Sequence, residues 1–261
     1  MKLDHVQKIT LSGILLALII IFTRFLALQY IPFLPFIRIS IGPALIIFSS
    51  ILLGPLYGGL LGGLSDLLGI LLVPNPQGFM INPFIILLYT VLGIVPYFVF
   101  KLIKKVKSLK KLALSFYISL FVIWVFIFLF LMFNHEITLY EKVYPFDLLT
   151  KILIISLSFL FLSLMSVGIY FINKHLSKKD HPKKNLVLTY QIAFVSLVCE
   201  VSIMLILGSI IKTFFFELDF LFIFFSQAVV LFINIPLNTL VVSYLLNLFD
   251  KLYNRLEVKD G

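Results

Sequence analysis

Charge is what this sequence has least of. Only 13% of its 261 residues are Asp, Glu, Lys or Arg, where a water-soluble chain carries about 25%. A lone cysteine, Cys199, excludes an internal disulfide and any cysteine-based metal cluster. Chemistry-bearing motifs are scarce as well. No G-x-x-x-x-G-K-[ST] occurs, so there is no P-loop to cradle phosphates, and no serine stands in a G-x-S-x-G elbow. "HEITL" at 135–139 begins like a zinc-protease helix, but Leu139 stands where the second histidine is required. His5, His175 and His181 lie in basic segments and read as solvated residues. The chain is therefore not read as an enzyme, and no cofactor or metal of its own is expected. A hydrolytic pair of Asp66 and Glu200 stays open as a minor alternative.

Apolar residues fill the space that charge leaves. They make up 61% of the chain, with a mean hydropathy of +1.14. Uncharged runs such as 112–133 and 152–172 approach the ~20 residues that carry a helix across a bilayer core. The fold class is thus an all-α integral membrane protein, because only backbones satisfied internally can span lipid. About eight spans are expected, at 9–29, 40–55, 57–73, 82–101, 112–133, 148–172, 186–211 and 220–248. The first is read as a retained helix, since no A-x-A-like cleavage site follows it.

The net charge of +9 is a topology signal. With the N-terminus inside, the inner segments hold 16 of the 21 basic residues, including the six lysines at 101, 104, 105, 107, 110 and 111. Such a bias is the positive-inside rule, and it predicts both termini in the cytoplasm. Contact with lipid headgroups follows; nucleic acid is not an expected partner.

One stretch concentrates the unusual residues: "RISIGPALIIFSSILLGPLYGGLLGGLSDLLG", 38–69. Gly58 and Gly62, and Gly59 and Gly63, are spaced four apart, so each pair shares a helix face and lets a neighbour approach closely. Gly13 and Ala17 repeat the device in the first span. Asp66 is a carboxylate within a span, which by default marks function. At 1.5 Å per residue it sits roughly 13 Å above the inner start of its helix. Other polar or aromatic side chains fall at similar or greater depth: Arg24, Glu200, Gln227 and Tyr89. Together with Tyr30, Phe79 and Asn82 they predict a polar cavity opening outward. Scattered polar groups gluing helices together are the alternative.

"TRFLALQY…IRISIGPALIIFSSILLGPLYGGLLGGLSDLLGILLVP" resembles the substrate-binding S components of energy-coupling-factor (ECF) vitamin transporters, most closely the folate-specific branch. The resemblance rests on Arg24–Phe25–Leu26, Arg38–Ile39–Ser40, Gly54–Pro55 and Asp66–Leu67–Leu68–Gly69 in that order, and covers about residues 9–100. It implies a protein of the bacterial cytoplasmic membrane that binds a vitamin at the outer face. It also implies docking on a transmembrane T protein, with two partner ATPases hydrolysing the ATP. Gly13 and Ala17 match the small pair that faces the T protein in that family.

For a folate-like ligand, Arg24 or Arg38 would take the carboxylates bidentately. Tyr30, Phe79 or Tyr89 would wall the ring, and Asp66 or Glu200 would accept from its N–H groups. Gln227 lies roughly where the family often has an arginine. S components typically have six spans. Within one transmembrane domain, 1–261, the expected core is therefore the S-component-like half 9–101 plus the pair 186–248, with 112–172 an inserted helical hairpin. The converse, with 186–248 as the addition, stays open. A stand-alone permease or channel and a membrane scaffold are the other functional classes.

Overall fold

The computed structural model describes residues 4–31, 34–73, 81–134, 136–139, 142–145, 147–177, 182–216 and 219–257. It divides into two compact units, one of Met1–Ala27, Ser40–Val106 and Leu237–Gly261, the other of Leu28–Ile39 and Lys107–Pro236.

The first unit begins with α1 (His5–Ile20), which runs directly into a π-helical turn, Ile21–Phe25. Helices α2 (Gly42–Leu53), α3 (Pro55–Leu72) and α4 (Pro83–Ile103) follow. Each of these three starts with a proline in its first turn, where the missing N–H costs nothing. Only Gly54 separates α2 from α3, at φ +99° and ψ 171°, a conformation essentially confined to glycine. Residues 237–257 of the long last helix, α9 (Phe220–Glu257), complete this unit, with Phe249 edge-to-face on Phe48 of α2 at 6.4 Å.

Helix α2 corrects the expected span at 40–55. Its 12 residues rise only about 18 Å, well short of the ~30 Å hydrocarbon core. It is buried nearly all round, including Ala44, Ile46 and Ile47, as befits a helix apolar on every face. Helices α3 and α4 meet backbone to backbone. A Cβ on Gly58 would strike the Gly93 carbonyl, one on Gly62 the Tyr89 carbonyl, and one on Gly59 would lie 2.7 Å from Ile94 Cγ1. The glycine pairs thus pack helices, as their spacing predicts. Pro96 interrupts α4, and the Tyr97 N–H just beyond it is taken up by Ser50 Oγ of α2 at 3.2 Å. A neighbouring hydroxyl makes the proline tolerable inside an apolar span.

The second unit contains two antiparallel hairpins: β1 (Leu28–Ile31) with β2 (Leu34–Ile39), and β3 (Glu136–Leu139) with β4 (Lys142–Pro145); β1 corrects the end of the expected span 9–29, whose helical stretch stops at Phe25, and the rest lies where loops are expected. "EITL" of the zinc-protease-like string is β3, not a helix; His135 lies outside the described residues. Between and beyond the hairpins run α5 (Leu109–Phe133), α6 (Leu148–Ser177) and α7 (Pro182–Cys199). A π-helical segment, Glu200–Leu207, then leads into α8 (Gly208–Phe216). Its core is a stripe on α5, Phe116, Leu120, Ile127 and Leu131, against Ala193 and Leu197 of α7 and Phe225, Ala228 and Phe232 of α9. Phe130 stacks on Phe225 at 4.5 Å between centroids. The opposite face of α5, with Leu114, Ile118, Phe121 and Val122, is exposed, which suits contact with lipid.

Six helical stretches among the described residues are long and apolar enough to cross a membrane: His5–Phe25, Pro55–Leu72, Pro83–Ile103, Leu109–Phe133, Leu186–Phe215 and Phe220–Asp250. A membrane helical bundle is therefore the architecture, and the expected count of eight spans is not reached among them.

Candidate ligand-binding site

The centre of the first unit's polar chemistry is an ion pair. Arg24 Nη2 donates to Asp66 Oδ1 at 2.8 Å and to the Asp66 backbone carbonyl at 3.2 Å. Both residues are buried, at 6% and 8% exposure, so the pair holds in a setting where an isolated charge would cost several kcal/mol.

The π-helical turn delivers Arg24 to that place. Leu26 N–H bonds to Ile21 O at 3.1 Å, the i→i+5 step that widens a helix by one residue per turn. Thr23 Oγ1 donates back to Ile19 O at 2.7 Å, satisfying a carbonyl at the start of the bulge. On α3, Gly69 lies one turn beyond Asp66. A Cβ there would stand 2.5 Å from Arg24 Nε and 3.3 Å from its Cγ, so the arginine side chain crosses α3 over the glycine.

Sequence reasoning gave Arg24 and Asp66 to different parts of a ligand. In the structure they are bound to each other. The signal that could have found this pairing is the Asp-x-x-Gly spacing opposite a late arginine: a carboxylate and a gap on one helix face. What the sequence conceals is the π turn, because one added residue rotates all that follows by about 100°.

The other expected residues are distributed as follows. Asn82 serves a structural role, its side chain accepting from Phe84 N at 3.0 Å and Ile85 N at 3.4 Å as the N-cap of α4. Tyr89 is half-buried on α4, its carbonyl packed against Gly62. Tyr30 lies on β1 and Arg38 on β2, Arg38 paired across the hairpin with Gln29; their side chains, like Phe79 entirely, lie outside the described residues. Glu200 and Gln227 belong to the second unit. Glu200 opens the π-helical segment, 1% exposed, and Lys212 lies within electrostatic reach of it. As in the first π turn, a hydroxyl repairs the bulge: Ser202 Oγ donates to Val198 O at 2.6 Å. Gln227 is half-buried beside the buried Ser226 on α9.

Gly13 and Ala17 are both exposed on α1, and a Cβ on Gly13 would meet nothing within 4 Å. Among the described residues no group of three or more His, Cys, Asp and Glu could hold a metal ion.

A family profile described as "ECF transporter, substrate-specific component" matches residues 7–172. The chain is also similar to the folate transporter FolT of Clostridium novyi (strain NT), 36% identical over 116 residues, which is 43% of this chain and 60% of that protein. It thus spans less than two thirds of that relative's length. No solved structure matches.

Proposed function

The chain belongs to the family of ECF transporter substrate-specific components, and from that premise we propose that it captures folate, a small vitamin, at the outer membrane face. The vitamin is then delivered inward on a T protein energised by two ATPase subunits. The observation that carries the ligand is the similarity to a folate transporter. The site supports it physically, since a membrane-buried carboxylate held by an arginine suits recognition of a polar heterocycle's N–H groups.

In this reading Asp66 accepts from the ring, Tyr89 with Tyr30 and Phe79 supplies aromatic wall, and Arg38 takes the ligand's carboxylates. Gly13 and Ala17 form the docking face, both termini are cytoplasmic, and the membrane is the bacterial cytoplasmic one. Two assignments of the six-helix core are supported by different observations. Residues 7–172 take in most of α1, all of α2 to α5 and most of α6, which favours α7 to α9 as the addition. Grouping of 237–261 with α1–α4 favours α9 as the core's last helix and 112–172 as an inserted hairpin.

The test is to purify the protein in mild detergent from cells grown in rich medium and identify any bound small molecule by mass spectrometry. Near-stoichiometric folate is expected. An empty protein that binds no member of a vitamin panel would overturn the ligand and favour a stand-alone permease or a scaffold. Another vitamin would overturn folate alone.

A further inference from the structure

Adjacent residues of the first π turn are each seated against a glycine of a different helix. Thr23 lies where a Cβ on Gly42 of α2 would be, and Arg24 lies over Gly69 of α3. Thr23 is additionally tied to the Ile19 carbonyl. Both contacts are buried: Thr23 is 9% exposed, Arg24 6%. The turn is therefore clamped from two sides, and the guanidinium emerges from it onto Asp66 alongside the missing side chain of residue 69. Asp66 and Gly69, three apart, share a face of α3, so the path from Arg24 to the carboxylate runs over the glycine.

A guanidinium so placed is committed within the protein. Its Nη2 bonds twice to Asp66, to carboxylate and backbone, while the side chain packs on α3. Drawing Nη2 away toward a ligand carboxylate would mean breaking that pair and leaving Asp66 as a buried charge without its counter-ion, which is strongly unfavourable.

We infer that Arg24 and Gly69 are positioning residues: Gly69 provides the seat, Arg24 holds Asp66 in place, and the ligand's anionic tail is received elsewhere. This deepens the folate reading and rests on it for the identity of the ligand. It separates two roles that chemistry alone would merge, since an arginine in a folate site is otherwise the natural partner of the tail.

The experiment is a cycle of four full-length proteins in detergent: wild type, Arg24→Ala, Gly69→Ala and the double variant. Affinity is measured for folate and for folate whose two tail carboxylates are amidated, with thermal unfolding followed in parallel. Gly69→Ala is expected to weaken both ligands by the same factor, about tenfold, because it displaces Arg24 and not the tail. In the Arg24→Ala background the three atoms nearest to that methyl are gone, so the further change should be under about twofold. Arg24→Ala should likewise weaken both ligands equally. A loss on Arg24→Ala confined to unmodified folate would overturn the inference, since Arg24 would then be meeting the tail. Equal losses from Gly69→Ala in both backgrounds would overturn it too, making the glycine a packing residue unrelated to Arg24. If wild type binds neither ligand, the folate reading fails instead, and the unfolding temperatures of the four proteins still decide the coupling. Should Arg24→Ala not fold, Arg24→Gln, which retains a donor toward Asp66, takes its place in the same cycle.

Discussion

Among single residues, Arg24 and Asp66 form a buried pair whose geometry depends on a helix phase that the π turn resets. The pair makes an asymmetric prediction. Asp66→Leu leaves a buried guanidinium without its counter-ion and should cost about 3–5 kcal/mol, whereas Arg24→Leu with Asp66→Leu removes both charges and should be near neutral for stability. Thermal unfolding in detergent distinguishes the two, and the double variant should fold while failing to bind ligand. A double variant as unstable as the single one would mean that the pair holds the fold by shape and not by charge. Arg38 carries the complementary expectation: Arg38→Ala should lower folate affinity at least tenfold, about 1.4 kcal/mol, read by calorimetric titration. Unchanged affinity would remove Arg38 from the site.

At the scale of elements, glycine spacing was the most legible feature, because small residues four apart can only mean close approach or a break. The structure uses Gly58 and Gly62 for approach and Gly54 for a one-residue corner. Gly54→Ala should cost about 1–3 kcal/mol, since its backbone conformation excludes side chains. Gly62→Leu should be worse, because the Tyr89 backbone blocks the space and one helix would have to move. Ser50→Ala should cost about 1 kcal/mol by stripping the bond to the Tyr97 N–H. A chemical-denaturation series on these three variants checks the order. The hairpins β1–β2 and β3–β4 were missed for a physical reason. Their residues, such as "LPFIRI" and "KVYP", carry prolines and mixed polarity that read as irregular loop, and pairing across a turn leaves little periodic trace in strands of four to six residues. Helix α2 was overextended because apolarity continues past its ends, while Gly42 and Gly54, which bound it, are also common inside spans.

At the scale of the whole molecule, composition alone was enough for the membrane class, since 13% charge leaves no other solvent for so much apolar surface. The family was legible only where residues formed an ordered series, from Arg24 to Gly69, which lies within the stretch 7–172 that the family profile matches. The docking face proposed on α1 offers the most decisive whole-molecule test, because it can be blocked without touching either the proposed ligand residues or the packing of the helix. Nothing lies within 4 Å of a Cβ at Gly13, and Ala17, Ile14 and Leu18 beside it are exposed. A side chain added there has open space around its Cβ, and helix propensity favours leucine over glycine by somewhat under 1 kcal/mol. Gly13→Leu with Ala17→Leu should therefore unfold no earlier than wild type and bind ligand with unchanged affinity. If a small-residue contact with the T protein is what couples binding to transport, the same variant should lose at least tenfold in ATP-driven uptake when reconstituted with its partners. Uptake undiminished beside normal binding would show that α1 faces lipid throughout the cycle and that the T protein docks on another helix. Loss of binding as well as uptake would mean that α1 transmits strain to Arg24, four residues before β1 begins, and that the docking face and the ligand site are parts of one device.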